Sequence, residues 1–329
     1  MKPNKFNGKF KELESIIKKY NNFLLIIHPG PDADALGSSF SLRKYIESLP
    51  DNKKVEIYSI DEPSANLNKL FPKKLLTTSL NLQNKDVVMI LDRGDVYFKL
   101  GINKKISSLK NPPKKIINID HHRKTRIAGA LNIRTITASS TSEIIFRFLE
   151  YTQFAINSSI AQFLLNGIWF DTGGFKHNST SPEILEIAGT LMRNGASIYK
   201  INKILSSNKS LAVLKLWGVA INRTHINKKT GMAVSYITKE DLKKYRVSIK
   251  DADPAKLSEL LNTVSETKFS LVLTERDDNK IKASLRSEEY KKVDVSKIAQ
   301  SFKGGGHKLA SGFEIEGRLE QTKDGWVIK

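Results

Sequence analysis

Apolar residues follow two rhythms along the first two-thirds of the chain. Short unbroken runs at 22–30 (NFLLIIHPG), 54–60 (KVEIYSI), 86–92 (DVVMILD) and 114–120 (KKIINID) read as strands. A strand covered on both faces needs no polar alternation, and parallel sheets are covered on both faces. Between and after these runs the spacing turns helical. The stretch 35–47 carries Leu36, Phe40, Leu42 and Ile46. In STSEIIFRFLEYT, 140–152, Glu143 stands three residues after Ser140, which predicts a capping box ahead of an apolar helix face. SSIAQFLLNGIWFDTGGF continues as a helix and ends at an acid followed by glycine. Repeated strand–helix alternation predicts an α/β fold, with an open, doubly wound, mostly parallel sheet.

Near residue 192 the texture changes. LMRNGASIYKINKILSS and SLAVLKLWGVAINRT are helical and read as a domain end and a connector. Beyond them GMAVSYITKEDLKKY predicts a strand and a helix start, and FSLVLTERDDNKIKASLRS a hairpin turning at Asp277, Asp278 and Asn279. VDVSKIAQSFKGGGHKLASGFEI reads as a helix, a glycine-rich loop and a final strand. The expected organisation is a domain at 1–200, a helical connector at 201–228 and a smaller α/β domain at 229–329.

Composition narrows the chemistry. A length of 329 residues favours two domains over one. There is no cysteine, so disulfides and thiolate ligands are excluded, and any metal must be held by His, Asp or Glu. No apolar run approaches a membrane span, and the opening MKPNKFNGKF has no apolar h-region. A soluble, cytoplasmic protein without a membrane partner is expected. The net charge of +20 suits a phosphate-rich partner. Yet only 12 of the 54 basic residues are Arg, and the Lys accompany many Asn and Ile, as A- and T-rich coding would also produce. Charge alone leaves the two explanations even.

Polar chemistry gathers where the runs end. His28, Asp32 and Asp34 follow the first strand, Asp92 ends the third, Asp120 and His121 end the fourth, and Asp171 closes a later apolar run. One acid at such a place is ordinary turn and cap chemistry. Four such ends, two with His beside the acid, point to a ligand at the carboxyl edge of the sheet. Oxygen-rich ligands with a minority of imidazole suit Mn²⁺ or Mg²⁺, with Fe²⁺, Co²⁺ and Zn²⁺ open. The candidates outnumber the needs of one ion. They suit two, roughly 3.5–4 Å apart and sharing a carboxylate, the arrangement used for displacement at phosphorus.

In order along the chain, these residues resemble the DHH phosphoesterase superfamily, in the subgroup with a C-terminal DHHA1 domain. The motifs are His28-x-x-x-Asp32-x-Asp34-x-x-Gly37-Ser38, Asp92 in MILDRGD, Asp120-His121-His122, and Asp171 in FDTGGF followed by NST. The C-terminal signature is SLRS, 284–287, and GGGHKLASG, 304–312. The resemblance implies a mixed sheet in the second domain and an active-site cleft between the domains. It implies that His28, Asp32 and Asp92 hold one ion, and that Asp34, Asp92, His121 and Asp171 hold the other. Asp92 bridges, Asp120 orients, and His122 faces the substrate phosphate, which makes these three the catalytic candidates. Ser284, Arg286, Gly304, Gly305, Gly306 and His307 are implied to bind the far end of a nucleotide. Glycines admit close backbone approach to an anion, and Arg matches phosphate with a planar fork.

The short two-domain members of the superfamily match best in layout. They hydrolyse very short RNA to mononucleotides and remove the 3′ phosphate of 3′-phosphoadenosine 5′-phosphate (pAp). The resemblance therefore implies two Mn²⁺ ions, with Mg²⁺ or Co²⁺ as alternatives, and short single-stranded RNA, dinucleotides such as pApA or pAp-like mononucleotides as partners. A homodimer is left open. Cyclic di-AMP phosphodiesterase activity and a non-catalytic nucleotide- or RNA-binding role stay as alternatives; inorganic pyrophosphatases with this core lack the GGGH segment. Two positions depart from the usual motifs: Arg93, where a small polar residue is more common, and Ser311. Arg93, Arg123, Lys124 and Arg126 either meet substrate phosphate or turn to solvent, and His177 reads as a surface residue.

Overall fold

The computed structural model describes residues 6–72, 76–123, 125–205, 209–322 and 325–329. Lys124 lies outside the described residues, as does the side chain of His307. The chain divides into two compact units, 1–207 and 208–329.

Unit one runs α1 (Asn7–Lys19), β1 (Asn22–Ile26), α2 (Ala33–Ser48), β2 (Lys54–Tyr58), α3 (Leu67–Leu70), β3 (Val87–Leu91), α4 (Val96–Lys99) and α5 (Ile102–Ser107). It continues with β4 (Lys115–Asp120), β5 (Leu131–Arg134), α6 (Thr141–Tyr151), α7 (Ser158–Asp171), α8 (Pro182–Arg193) and α9 (Ile198–Leu205). The sheet order is β2-β1-β3-β4-β5, and every pairing is parallel. The unbroken apolar runs are explained by two cores. Phe23, Leu25, Met89, Leu91, Ile117 and Ile119 face α1, α2, α6, α7 and α8. Leu24, Ile26, Val88 and Ile90 face α4 and α5 on the other side. Period-two alternation thus feeds two apolar layers instead of one apolar and one wet.

Several elements have no counterpart in the sequence pattern, α1, α3, α4, α5 and β5 among them. α1 starts without a side-chain cap, and β5 is only four residues long. The Ser140 cap is present, with its Oγ accepting from Glu143 N at 3.0 Å. The return bond is displaced by one residue: Glu143 Oε2 takes the N–H of Ser139, not that of Ser140, at 2.7 Å.

Unit two runs α10 (Leu211–Asn222), β6 (His225–Asn227), β7 (Met232–Ile237), α11 (Lys239–Tyr245), α12 (Ile249–Ala252), α13 (Pro254–Leu261), β8 (Phe269–Glu275) and β9 (Lys280–Ser287). Then come α14 (Val295–Ser301), β10 (Gly305–His307), β11 (Ala310–Glu316), β12 (Leu319–Thr322) and β13 (Gly325–Ile328). Its sheet, β10-β11-β9-β8-β7-β6, is mixed: β7 and β8 are parallel and the other pairs antiparallel. The hairpin turns at Asn279, with φ 57.

Three details differ from the expectation. The 201–228 stretch is no free-standing connector. Its start closes α9, while α10 packs Val213, Leu216, Trp217 and Ala220 against Ile237, Leu257 and Val272 in unit two. The glycine-rich segment is no loop, because Gly305–His307 pairs with β11 as the edge strand. β11 is not the last strand, since the β12–β13 hairpin follows. Among the described residues, no helix is long and apolar enough to cross a membrane.

Candidate metal centre

The centre is built at the carboxyl edge of the parallel sheet. Just past β1, His28 Nδ1 donates to Pro29 O at 2.8 Å, which commits the ring proton and turns Nε2 to the site. Asp32 caps α2: its Oδ1 accepts from Asp34 N and Ala35 N, each at 3.0 Å, while Oδ2 faces His28 Nε2 at 3.4 Å. Asp34 is fully buried. Its two oxygens accept Thr141 N at 2.6 Å and Ser142 N at 2.8 Å, the first turn of α6. A helix N-terminus thus steadies this buried carboxylate. α7 passes close by, and a Cβ on Gly167 would sit 2.1 Å from Ser142 Oγ and 2.8 Å from Asp34 Oδ1.

Asp92 follows β3 with φ 67, a left-handed backbone that costs roughly 1–2 kcal/mol for a residue with a Cβ. It is 1% exposed. Its Oδ2 lies 3.6 Å from His28 Nε2 and its Oδ1 3.5 Å from His121 Nε2. One carboxylate therefore addresses both imidazoles. His121 Nε2 also lies 3.2 Å from Asp171 Oδ2. Asp171 is the last residue of α7, so this acid comes from a helix end. Asp120, buried at the end of β4, accepts Gly94 N at 2.9 Å, His122 N at 2.8 Å and His122 Nδ1 at 3.0 Å. It ties the β3 and β4 ends together and orients His122, whose ring stands edge-on to His121 with centroids 4.2 Å apart.

Electrostatics marks this cluster as a cation site. Burial, with Asp92 and Asp171 close by, pushes the Asp34 carboxyl well above its ordinary range. Burial likewise lifts Asp171 to about 6. For Asp92 burial acts upward, but the His121 and His28 imidazoles outweigh it and hold the carboxyl below its usual range. Burial opposes charge on the two imidazoles, yet the surrounding carboxylates raise His28 to about 10 and His121 to about 12. The Nε2 atoms of both rings are buried without a hydrogen-bond partner. Facing acceptors stand 3.2–3.6 Å away without hydrogen-bond geometry. Orphaned nitrogens and oxygens that converge across such gaps fit divalent cations.

Among the described residues, three groups place their ligand atoms within 4.8 Å of one another: His28, Asp32 and Asp92; Asp34, Asp92, His121 and Asp171; and Asp92, His121 and His122. Asp92 belongs to all three.

Sequence reasoning missed the supports. Thr141 Oγ1 donates to Asp92 Oδ1 at 3.0 Å, and Arg134 Nη2 donates to His122 O at 2.6 Å. The only signal was the Ser/Thr run before α6, read as a cap alone. His177 is exposed, as expected, but its Nδ1 donates to Asp171 O at 3.2 Å, and its ring occupies the space a Cβ on Gly173 would need.

In unit two, Gly305 pairs opposite Gly312, and Gly312 opposite Ser284. These positions and Arg286 share one face by register, two residues apart along β9. Ser284 is buried. Arg286 is half-buried and donates through Nη1 to Leu285 O at 2.8 Å; burial depresses its pKa. A Cβ on Gly304 would lie 2.3 Å from Gly312 O and one on Gly306 2.6 Å from Ala310 O, whereas one on Gly305 would meet nothing. Gly304 and Gly306 are required by the strand pairing, and Gly305 leaves its face bare.

Residues 22–168 match the family model "DHH family, N-terminal domain", and 243–324 match the DHHA1 domain. The chain is 28% identical over 309 residues to the bifunctional oligoribonuclease and PAP phosphatase NrnA of Bacillus subtilis, covering 92% of each chain. It is 25% identical over 325 residues to "Uncharacterized protein MG371" of Mycoplasma genitalium, covering 97% of this chain and 96% of that one. An exopolyphosphatase-related protein of Bacteroides fragilis shares the fold, with a TM-score of 0.81 at 25% identity over 94% of this chain and 91% of that one.

Proposed function

We propose, for a chain that belongs to the DHH family and carries a C-terminal DHHA1 domain, that short RNA is the substrate. The chain is a metal-dependent phosphoester hydrolase. The finer reading is a Mn²⁺-dependent enzyme that cleaves dinucleotides and slightly longer RNA to mononucleotides, and dephosphorylates pAp. One observation carries its two-metal chemistry: Asp92 directs one oxygen toward His28 and the other toward His121. That is what a carboxylate shared by two cation sites requires. His28, Asp32 and Asp92 would hold one ion, and Asp34, Asp92, His121 and Asp171 the other. Two such ions supply Lewis acidity and an acidified water.

The chain's own residues do the rest. Asp120 fixes the His122 ring through Nδ1 and leaves Nε2 for a phosphate oxygen. Ser284 and Arg286 on β9, and Gly304, Gly305, Gly306 and His307 at the sheet edge, bind the end of the nucleotide away from the reacting phosphate. The relatives named for oligoribonuclease and PAP phosphatase activity support this substrate class.

The test is a panel in Mn²⁺: di- to pentaribonucleotides, pAp, cyclic di-AMP, its linear form and pyrophosphate. Dinucleotide and pAp are expected to be hydrolysed fastest. Faster turnover of cyclic di-AMP would replace this reading with the cyclic-dinucleotide one.

A further inference from the structure

The chain is frugal with arginine, 12 among 54 basic residues. Residues 1–207 contain seven, and four of these stand where the strands open toward the metal centre: Arg93, Arg123, Arg126 and Arg134. Arg93 follows Asp92 directly. Its Nε lies 3.4 Å from Asp95 Oδ1, and its side chain keeps 33% of its surface exposed. Arg123 and Arg126 are exposed on the segment after His122. Neither forms a hydrogen bond or an ion pair with another described residue.

The described residues on either side of position 124 are fastened to the sheet. Asn118 Nδ2 donates to Thr125 O at 2.8 Å, and Thr125 Oγ1 donates to His122 O at 3.1 Å. Ile127 N donates to Asn132 Oδ1 at 3.0 Å, and Asn132 Nδ2 returns a bond to Ile127 O at 2.7 Å. Thr125 and Ile127 are buried. A Cβ on Gly94 would stand 2.2 Å from Thr125 O, so the β3 end that carries Arg93 lies directly against this segment. From the other side Arg134 holds His122 O, and its Nε is buried without a partner. Arg93, Arg123 and Arg126 thereby leave the backbone close to the anchored contact of Gly94 with Thr125. A merely solvated basic turn needs no such anchoring, and Lys would serve it as well as Arg in this Lys-rich chain. Planar forks on an anchored backbone suit a phosphate group.

We propose that Arg93, Arg123 and Arg126 form a second anionic subsite in unit one, with Arg134 as the positioning residue that holds the His122 turn. The ligand is the phosphate one nucleotide removed from the reacting phosphate in an oligoribonucleotide of three or more residues. The assignment rests on the proposed RNA substrate. It adds a length preference: the third nucleotide contributes binding that a dinucleotide cannot make.

The test compares the full chain with a variant carrying Arg93→Gln, Arg123→Gln and Arg126→Gln. KM is measured for a di- and a trinucleotide, both without terminal phosphates, in Mn²⁺. Binding of a labelled phosphorothioate trinucleotide is followed by anisotropy across a salt series. The variant is expected to raise KM for the trinucleotide roughly tenfold and to leave the dinucleotide within about twofold. The slope of log affinity against log salt should fall by about 0.7, the value for one lost phosphate contact on a single strand. Equal changes for both lengths, or no change for either, overturn the subsite. A wild-type chain that cleaves neither oligonucleotide overturns the proposed function, and the subsite with it. A wild-type chain that cleaves both while the variant matches it overturns the subsite alone.

Discussion

Thr141 donates its hydroxyl to Asp92 Oδ1 at 3.0 Å while its backbone N–H donates to Asp34 Oδ2 at 2.6 Å. The first residue of α6 therefore holds two carboxylates that arrive from different strand ends. Removing only the hydroxyl, with Thr141→Val, keeps the backbone bond and the shape. Partners behind a metal ligand are worth roughly 10–100-fold in metal affinity. Mn²⁺ titration by calorimetry should show a loss in that range with the circular dichroism spectrum unchanged. Wild-type affinity in the variant would mean that Asp92 needs no such support.

Asp92→Ala deletes the carboxylate common to all three ligand groups. Mn²⁺-dependent hydrolysis should fall by about 10³-fold or more, while the chain stays folded. An active Asp92→Ala variant would sink the shared-carboxylate scheme.

Metal removal should cost stability. Asp34, Asp92 and Asp171 crowd one buried site, and a bound cation relieves their repulsion. A ligand at about 100 times its Kd stabilises the folded state by about 2.7 kcal/mol. Differential scanning fluorimetry with Mn²⁺ against chelator should show a higher midpoint with the metal. Coincident curves would argue against the site.

In unit two Arg223 grips Asp241 with both terminal guanidinium nitrogens, Nη1 and Nη2, and Thr238 donates to the same carboxylate through N at 2.9 Å and Oγ1 at 2.8 Å. Burial acts against the charged form, but these bonds prevail and hold the Asp241 carboxyl below its ordinary range. A depressed carboxyl stabilises the fold above its unfolded pKa, and that stability is lost as pH falls through the folded value. Asp241→Asn should cost about 2 kcal/mol at neutral pH and much less in acid. Urea unfolding across pH measures the difference; a constant gap would contradict the assignment.

Arg286→Ala should raise KM for dinucleotides severalfold, since the proposed function gives this half-buried Arg a phosphate to fork. Metal affinity should not change. An unaltered KM would remove the substrate role from this strand.

The residue types by themselves determined much of this protein. Unbroken apolar runs required a sheet covered on both faces. The lack of cysteine left only His and carboxylates as metal ligands, and the strand-end positions of His28, Asp32, Asp34, Asp92, Asp120 and His121 set the edge on which they would meet. Order along the chain made the family legible, because each motif keeps its place relative to a strand or helix end. Other features depended on non-local neighbours. The Ser140–Glu143 cap was visible locally, but nothing in that stretch showed that Thr141 and Ser142 reach Asp34, more than a hundred residues away. GGGH reads as a flexible loop until pairing with β11 makes it an edge strand. The 201–228 helix reads as a connector until Trp217 and Leu216 find their core in unit two. Hydrophobic period and turn chemistry are properties of neighbouring residues. Which carboxylate a helix end steadies, and which arginines an anchored turn presents, depends on packing between segments distant in sequence, and only the tertiary structure decided those.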